Sequence, residues 1–389
     1  MEAKVKRIIP IIIVCILVMF IITACNTKKD IKKTKTGDQI STADVDNEKV
    51  STDDDTSNDS AAINDAEFEL IYNPPVGGSP ENIGKIIFAS DPEETSRADY
   101  ELFVIDPDGS NKVKLPTFGK DMNYPAWSPD YSRIAYSADV ADVDNRNRIF
   151  IMTADGKVNM QLTFGDDYSD DKFPTWSPDG KYIAYTSYTY GDTGNTANLF
   201  VIDIYGKNIK QLTFAEGVDE YNNKASWSPV SDVIAYSYDK AGKEVGARLY
   251  TIRADGTEMR EILSGDDKDL NERDPAWSPD GKIIYFWTNR FKKGEIYKID
   301  YDKLVHNMTV TDETKYDDIG FEMVTNVHSA GNVTIEGRIS ISPDGKKIVF
   351  HGVGSDWNNI GTNLYTINVD GTGLTNITKS IDQNEWPDW

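Results

Sequence analysis

From residue 84 onward, apolar and polar positions fall into short blocks punctuated by Gly or Pro, and no 3.6-residue period develops. Tyr182-Ile183-Ala184-Tyr185-Thr186-Ser187 is one such block and Asn198-Leu199-Phe200-Val201-Ile202-Asp203 another. Both place apolar side chains on each alternating face, which predicts strands covered on both sides by neighbouring sheets. The first kind of block begins six times, near Lys85, Arg133, Tyr182, Val233, Ile283 and Lys347. Trp-Ser-Pro recurs with it, at Trp127, Trp176, Trp227 and Trp277, followed by a degenerate Ile341-Ser342-Pro343. The spacings are 49, 51, 50 and 64 residues, and 48 more reach Trp389. Repetition at this interval marks a propeller, a solenoid or an array.

Each period holds the same four pieces. Strand a ends in Trp or its substitute, as in Tyr124-Pro125-Ala126-Trp127, and a Ser-Pro-Asp-Gly turn leads to strand b. A variable loop precedes strand c, and a second tight turn leads to strand d, such as Gln161-Leu162-Thr163-Phe164. The expected fold is therefore all-β: a six-bladed β-propeller of four-stranded antiparallel blades. The first repeat opens directly at strand b (Gly84 to Ser90), whereas Glu385-Trp386-Pro387-Asp388-Trp389 matches a strand a with nothing after it. The C-terminal strand is thus expected to close the ring. Phe68–Tyr72 is a second candidate for that position.

These residues resemble the TolB-type propeller repeat, a relative of WD repeats with the hallmark Pro-x-Trp-Ser-Pro-Asp-Gly-Lys followed by Ile-Ala-Tyr or Phe. The resemblance spans about residues 84–389. The third copy, Pro229-Val230-Ser231-Asp232, lacks the Gly, and the fifth strand a lacks the Trp. Proteins similar to this family work with envelope partners, which implies a protein, peptide or cell-envelope glycan as ligand. Some TolB-like propellers are oligosaccharide lyases with a histidine-held metal, which implies the alternative of a metal-dependent extracellular carbohydrate-active enzyme. Related propellers also front serine peptidases, but no Gly-x-Ser-x-Gly is present here. A non-enzymatic binding or scaffolding module is the expected role, since a fold of this kind hosts many functions.

The N-terminus has a different pattern. Lys4, Lys6 and Arg7 precede an apolar run from Ile8 to Ala24, then Ile22-Thr23-Ala24-Cys25. A basic start, an apolar stretch and small residues before a cleavage point read as a secretory signal over residues 1–24. Ile22 to Cys25 resemble the bacterial lipobox, which implies lipid on Cys25 and a chain anchored at the extracytoplasmic face of a membrane. An uncleaved membrane anchor is the other reading, with the same topology by the positive-inside rule. Residues 25–66 are rich in Asp, Ser, Thr and Lys and nearly free of aromatics, a composition expected to form a disordered tether. Residues 67–389 are expected to be the propeller.

Charge narrows the ligands. The chain of 389 residues has a net charge of −23, with −21 on residues 66–389. Phosphate is repelled by such a surface, so nucleic acid is not an expected partner. The two cysteines, Cys15 and Cys25, both precede the repeats, and no disulfide is expected among the strands. Acidic residues gather in the d–a connections: Asp166, Asp167, Asp170 and Asp171; Asp219 and Glu220; Asp266, Asp267, Asp269 and Asp274. They are expected to surround one mouth of the channel, either as a binding rim for a cationic segment or Ca2+, or as a solvated acidic border. The Asp-Gly turns at Asp106, Asp155, Asp255 and Asp370 read as hairpin turns, being too short to wrap a cation. His306, His328 and His351 are metal-ligand candidates in the last two repeats, with His306 expected in a strand d, but their spacing matches no metal motif. No cofactor is otherwise expected.

Overall fold

The computed structural model describes residues 71–73, 79–91, 99–140, 146–165, 169–191, 194–215, 219–240, 246–263, 270–291, 293–307, 318–330, 332–355 and 361–389. The signal segment, Cys25 and the tether through residue 66 lie outside these residues, as do Asp166, Asp167, Asp266, Asp267 and Asp269. No helix among the described residues is long and apolar enough to cross a membrane.

The Ser-Pro-Asp-Gly turn folds for reasons visible in its own atoms. In the third repeat the Ser177 hydroxyl accepts the Tyr182 amide at 2.9 Å and donates to Asp179 at 2.7 Å. Ser278 and Ser342 repeat the arrangement, with amides of Ile283 and Lys347 each at 2.9 Å. The glycine sits at φ 66° to 71° (Gly180, Gly281, Gly345), where any β-carbon adds strain. Tyr131 occupies that place in the second repeat, at φ 58°.

Strands follow as the pattern predicts. The first sheet contains β1 (Ile86–Asp91), β2 (Glu101–Ile105) and β3 (Val113–Lys114). The second contains β4 (Lys120–Trp127), β5 (Arg133–Val140), β6 (Arg146–Thr153) and β7 (Asn159–Gln161). The third repeat supplies β8 (Ser169–Trp176), β9 (Tyr182–Gly191), β10 (Gly194–Asp203) and β11 (Lys210–Gln211). The fourth supplies β12 (Glu220–Trp227), β13 (Val233–Lys240), β14 (Arg248–Arg253) and β15 (Arg260–Glu261). The fifth has β16 (Glu272–Trp277), β17 (Ile283–Thr288), β18 (Glu295–Asp300) and β19 (Glu322–Met323). The sixth has β20 (Val333–Ile341), β21 (Lys347–Gly354), β22 (Asn363–Asn368) and β23 (Thr375–Asn376), and β24 (Gln383–Asp388) follows.

The expectation of six separate four-stranded blades needs correction. Four separate four-stranded sheets form, and the strands of the third and fourth repeats run together into one eight-stranded sheet. The cause is length. β9 and β10 are ten residues each, and their extended hairpin carries Thr196 and Ala197 beside Glu220 and Tyr221, where β10 pairs in parallel with β12. A second correction concerns helix. The long fifth repeat contains α1 (Tyr301–Asn307), and His306 lies in it rather than in a strand d.

Closure by the C-terminal strand is observed: β24 pairs antiparallel with β1, and the Trp389 indole donates to the Gly84 carbonyl at 2.8 Å. Of the alternative Phe68–Tyr72, residues 68–70 lie outside the described residues, and Ile71 does not take that place. It is fully buried between the second and third repeats, its carbonyl accepting from the Arg133 guanidinium at 3.1 Å, and Tyr72 stacks on Tyr205. The innermost strands touch in cyclic order β4, β8, β12, β16, β20, β24 and back to β4. The core lies between successive sheets. Leu199 and Val201 pack against Trp227, Ile234 and Tyr236, and across the closure Ile86 and Phe88 pack against Val349, Leu364 and Trp389.

Candidate functional site: the central channel

Each inner strand carries an irregularity three residues before its Trp or Trp substitute. The residues there are Tyr124, Phe173, Lys224, Asp274, Arg338 and Trp386, with φ of 50°, 57°, 52°, 57°, 23° and 50°. All six are non-glycine residues in left-handed backbone, and each falls where the pairing register with the next strand slips. A bulge of this type bends the strand and re-aims a side chain. Proline follows in four of the six (Pro125, Pro174, Pro275, Pro387), at a place where the interrupted ladder asks for no amide donor. Backbone held this way costs on the order of 1–2 kcal/mol per residue, and six equivalent cases point to a function for the position.

All six side chains line one cavity of about 610 Å3 in the central channel. Its wall runs from these residues to the Ser-Pro turns, so it lies towards the end of the ring that carries the tight turns. The ring of six divides into two arcs. Trp386, Tyr124 and Phe173 are cyclic neighbours whose rings lie 4.3 Å and 4.2 Å apart, centre to centre. Lys224, Asp274 and Arg338 form the other arc, with Lys224 Nζ 2.9 Å from Asp274 Oδ1. Arg338 donates to the Pro125 carbonyl at 3.1 Å, tying the sixth repeat to the second.

Burial sets the protonation of this cluster. Desolvation, the largest single influence, acts to raise the Asp274 carboxyl, but Lys224, Arg273 and His351 together outweigh it and hold the pKa below the usual range. Burial pushes Asp388 up and lowers Arg338. His351, on β21 beside Gly337, is lowered to about 3 by burial, against the opposing pull of Asp274, and is neutral at ordinary pH.

Among the described residues, the acidic positions expected at an open rim have internal partners. Asp170 and Asp171 are each 3% exposed, and Asp170 pairs with Lys172 at 2.7 Å and accepts from Tyr190. Glu220 is buried and accepts from Tyr238 at 2.6 Å, while Asp219 accepts the Asn195 amide and the Tyr221 hydroxyl, each at 3.1 Å. Asp274 reaches the channel wall itself. Of the histidines whose side chains are described, His351 lines the cavity and His328 does not. His328 is partly buried in the segment after β19, and the His306 side chain lies outside the described residues. No cluster of three or more His, Cys, Asp or Glu suited to a metal occurs among the described residues. The Asp-Gly turns bind their own backbone: Asp155 accepts the Lys157 amide, Asp255 that of Thr257 and Asp370 that of Thr372.

Sequence reasoning missed the six-residue ring. Its signal was present as the residue three before each repeated Trp or its substitute. That column becomes visible only when all six copies are aligned, because its chemistry differs in every copy.

The fold defines a β-propeller, and residues 83–243 match the family described as the TolB beta propeller domain. The match covers fewer than half of the residues, and over it the chain is similar to the TolB beta propeller domain. No curated protein matches the sequence. Among solved structures, TolB from Acinetobacter baumannii is 18% identical, with 84% of this chain and 70% of that one covered and a TM-score of 0.59. Hydrazine synthase from Kuenenia stuttgartiensis is 13% identical over 78% of this chain and 46% of that one, with a TM-score of 0.60. An oligogalacturonate lyase in complex with manganese is 13% identical over 75% and 73%, with a TM-score of 0.50. These likenesses concern the fold.

Proposed function

We propose that this protein is an extracytoplasmic binding or scaffolding propeller, lipid-anchored through Cys25, that recognises a protein, peptide or cell-envelope ligand in its central channel. On this reading the eight-stranded sheet is two blades fused at their edges, giving six blades, one for each residue of the channel ring. The observation that carries the proposal is the cavity of about 610 Å3, reached by one left-handed side chain from every repeat. A site of that size with an apolar wall and a few convergent polar groups is the usual form of a ligand pocket. The TolB-like fold supports protein partners and an envelope location, and the signal-like N-terminus supports the same side of the membrane.

The test uses the full chain in cells. A photo-crosslinking residue at Thr175, in the channel wall, is expected to capture a partner that the same residue at exposed Met323 on outer strand β19 does not. Capture from both positions or from neither counts against the channel. Labelling with a fatty-acid analogue is expected to mark the protein and to vanish in Cys25→Ala. The second reading, a metal-dependent enzyme acting on oligosaccharides, draws on His351 in the cavity wall. An oligosaccharide screen with added Mn2+ that yields no product removes it.

A further inference from the structure

The groups left over in the cavity wall narrow the ligand further. Of the Trp indoles at the ends of the inner strands, Trp176 donates to Ala126 at 3.1 Å, Trp227 to Ser231 at 3.2 Å, Trp277 to Ser226 at 3.1 Å and Trp389 to Gly84 at 2.8 Å. The Trp127 indole, in a residue 6% exposed, has no partner among the described residues, and neither has His351 Nδ1, in a residue also 6% exposed. Both residues line the cavity, with the two atoms themselves covered by neighbouring groups. The Arg338 guanidinium makes one hydrogen bond, to Pro125, out of its five donors, with the charges of Asp388 and Asp274 nearby. The carboxylates near it are already engaged. Asp274 is paired with Lys224, and Asp388 accepts the Trp127 amide at 2.8 Å and the Ser340 hydroxyl at 3.0 Å. The deep end therefore offers the remaining guanidinium donors of Arg338 to an acceptor, beside an aromatic arc.

We propose that the channel takes the free C-terminal end of a partner polypeptide, its carboxylate on Arg338 and its last side chain against Trp386, Tyr124 and Phe173. This rests on the channel reading above and names its ligand. Depth fits. From Tyr124 to Trp127 the strand wall runs three steps, about 10 Å at the rise of an extended strand, and the Ser-Pro turn lengthens it further, room for at least three residues of peptide. Wall chemistry favours a peptide over a saccharide. Prolines of five Ser-Pro turns and the Trp residues before them line the approach, and sugar hydroxyls held there lose water without gaining partners. Arg with a carboxylate is a bidentate match, and apolar or aromatic side chains suit the remainder of the surface.

The experiment titrates the full-length protein with two N-terminally labelled pentapeptide libraries, identical but for a free or an amidated C-terminus. The free acids are expected to bind at least tenfold more tightly. Arg338→Gln is expected to erase that difference and Arg338→Lys to keep part of it. Ala225→Phe, which fills the cavity while keeping Arg338, is expected to weaken both libraries. Equal binding of acid and amide, an unaffected Arg338→Gln variant, or binding of an N-acetylated disaccharide in place of peptide overturns the proposal. If Thr175 crosslinking still captures a partner under such an outcome, the channel reading stands and only the C-terminal assignment falls. If it captures none, both fall.

Discussion

Trp389→Ala tests the closure of the ring, on which the shape of the channel depends. Trp389 is 7% exposed and packs with Ile86, Phe88, Val349, Leu364 and Ile377, residues of the first and last repeats. Its indole bonds to Gly84 at 2.8 Å, and its amide donates to the Ser340 hydroxyl at 3.1 Å. Removing a buried Trp side chain costs about 3–5 kcal/mol, from lost apolar burial and the cavity left behind. The lost indole bond contributes about 1 kcal/mol of that loss. Trp176→Ala is the internal reference, being 6% exposed at the same place in an interior repeat. Urea unfolding of the full chain, followed by near-ultraviolet circular dichroism, should give both variants losses of similar size. Trp389→Phe keeps most of the packing and should lose about 1–2 kcal/mol. A Trp389→Ala protein within about 1 kcal/mol of the parent, with Trp176→Ala strongly destabilised, would mean that the last strand frays and does not close the ring.

Two further predictions concern the channel wall. At Phe173, with φ 57°, glycine removes about 1–2 kcal/mol of left-handed strain and adds about 0.5–1 kcal/mol of chain entropy, so Phe173→Gly should equal or exceed Phe173→Ala in stability. An alanine variant clearly more stable than the glycine variant would contradict the assigned backbone. His351 faces Asp274, Lys224 and Arg338, and its folded pKa of about 3 lies below the ordinary 6.5. The unfolded chain therefore takes up the proton first. The stability from keeping this imidazole neutral is complete above pH 6.5 and is lost as pH falls from there towards 3, with a limiting slope of about 1.4 kcal/mol per pH unit. In His351→Gln the fall between pH 6 and 4 should be shallower, as read by urea midpoints across that range. Parallel curves for the two proteins would refute the burial of a neutral imidazole.

The channel explains why the acidic composition was a weak guide to the site. Glu220 and Asp274 lie 18 and 50 residues from Tyr238 and Lys224, the groups that meet them, and Asp170, although its cation Lys172 is two residues away, is buried only where the inner strands converge. A run of carboxylates reads as a solvated border until the partners are in place. The d–a connections illustrate the converse, because their anchoring recurs at the same place in the repeat. Thr163, Thr213, Thr325 and Thr378, each one residue past an apolar position, accept strand-c amides at 2.9, 2.9, 2.9 and 3.0 Å.

By itself the sequence determined what short-range chemistry can dictate. The Ser-Pro-Asp-Gly turns close through their own hydroxyl and carboxylate, the two-faced apolar blocks require sheets on both sides, and a surplus last strand matches a missing first one. Those features announce a closed propeller because each is repeated and each acts within a few residues. Only the tertiary structure decided which sheets merge, since that depends on how far the β9–β10 hairpin reaches towards β12. It alone decided the site too. Six unlike residues, Tyr124, Phe173, Lys224, Asp274, Arg338 and Trp386, share no chemistry that a sequence pattern can detect. They become one site because the ring brings the same backbone bulge from every repeat to a common axis, and distance through space, unlike distance along the chain, is set by the assembled fold.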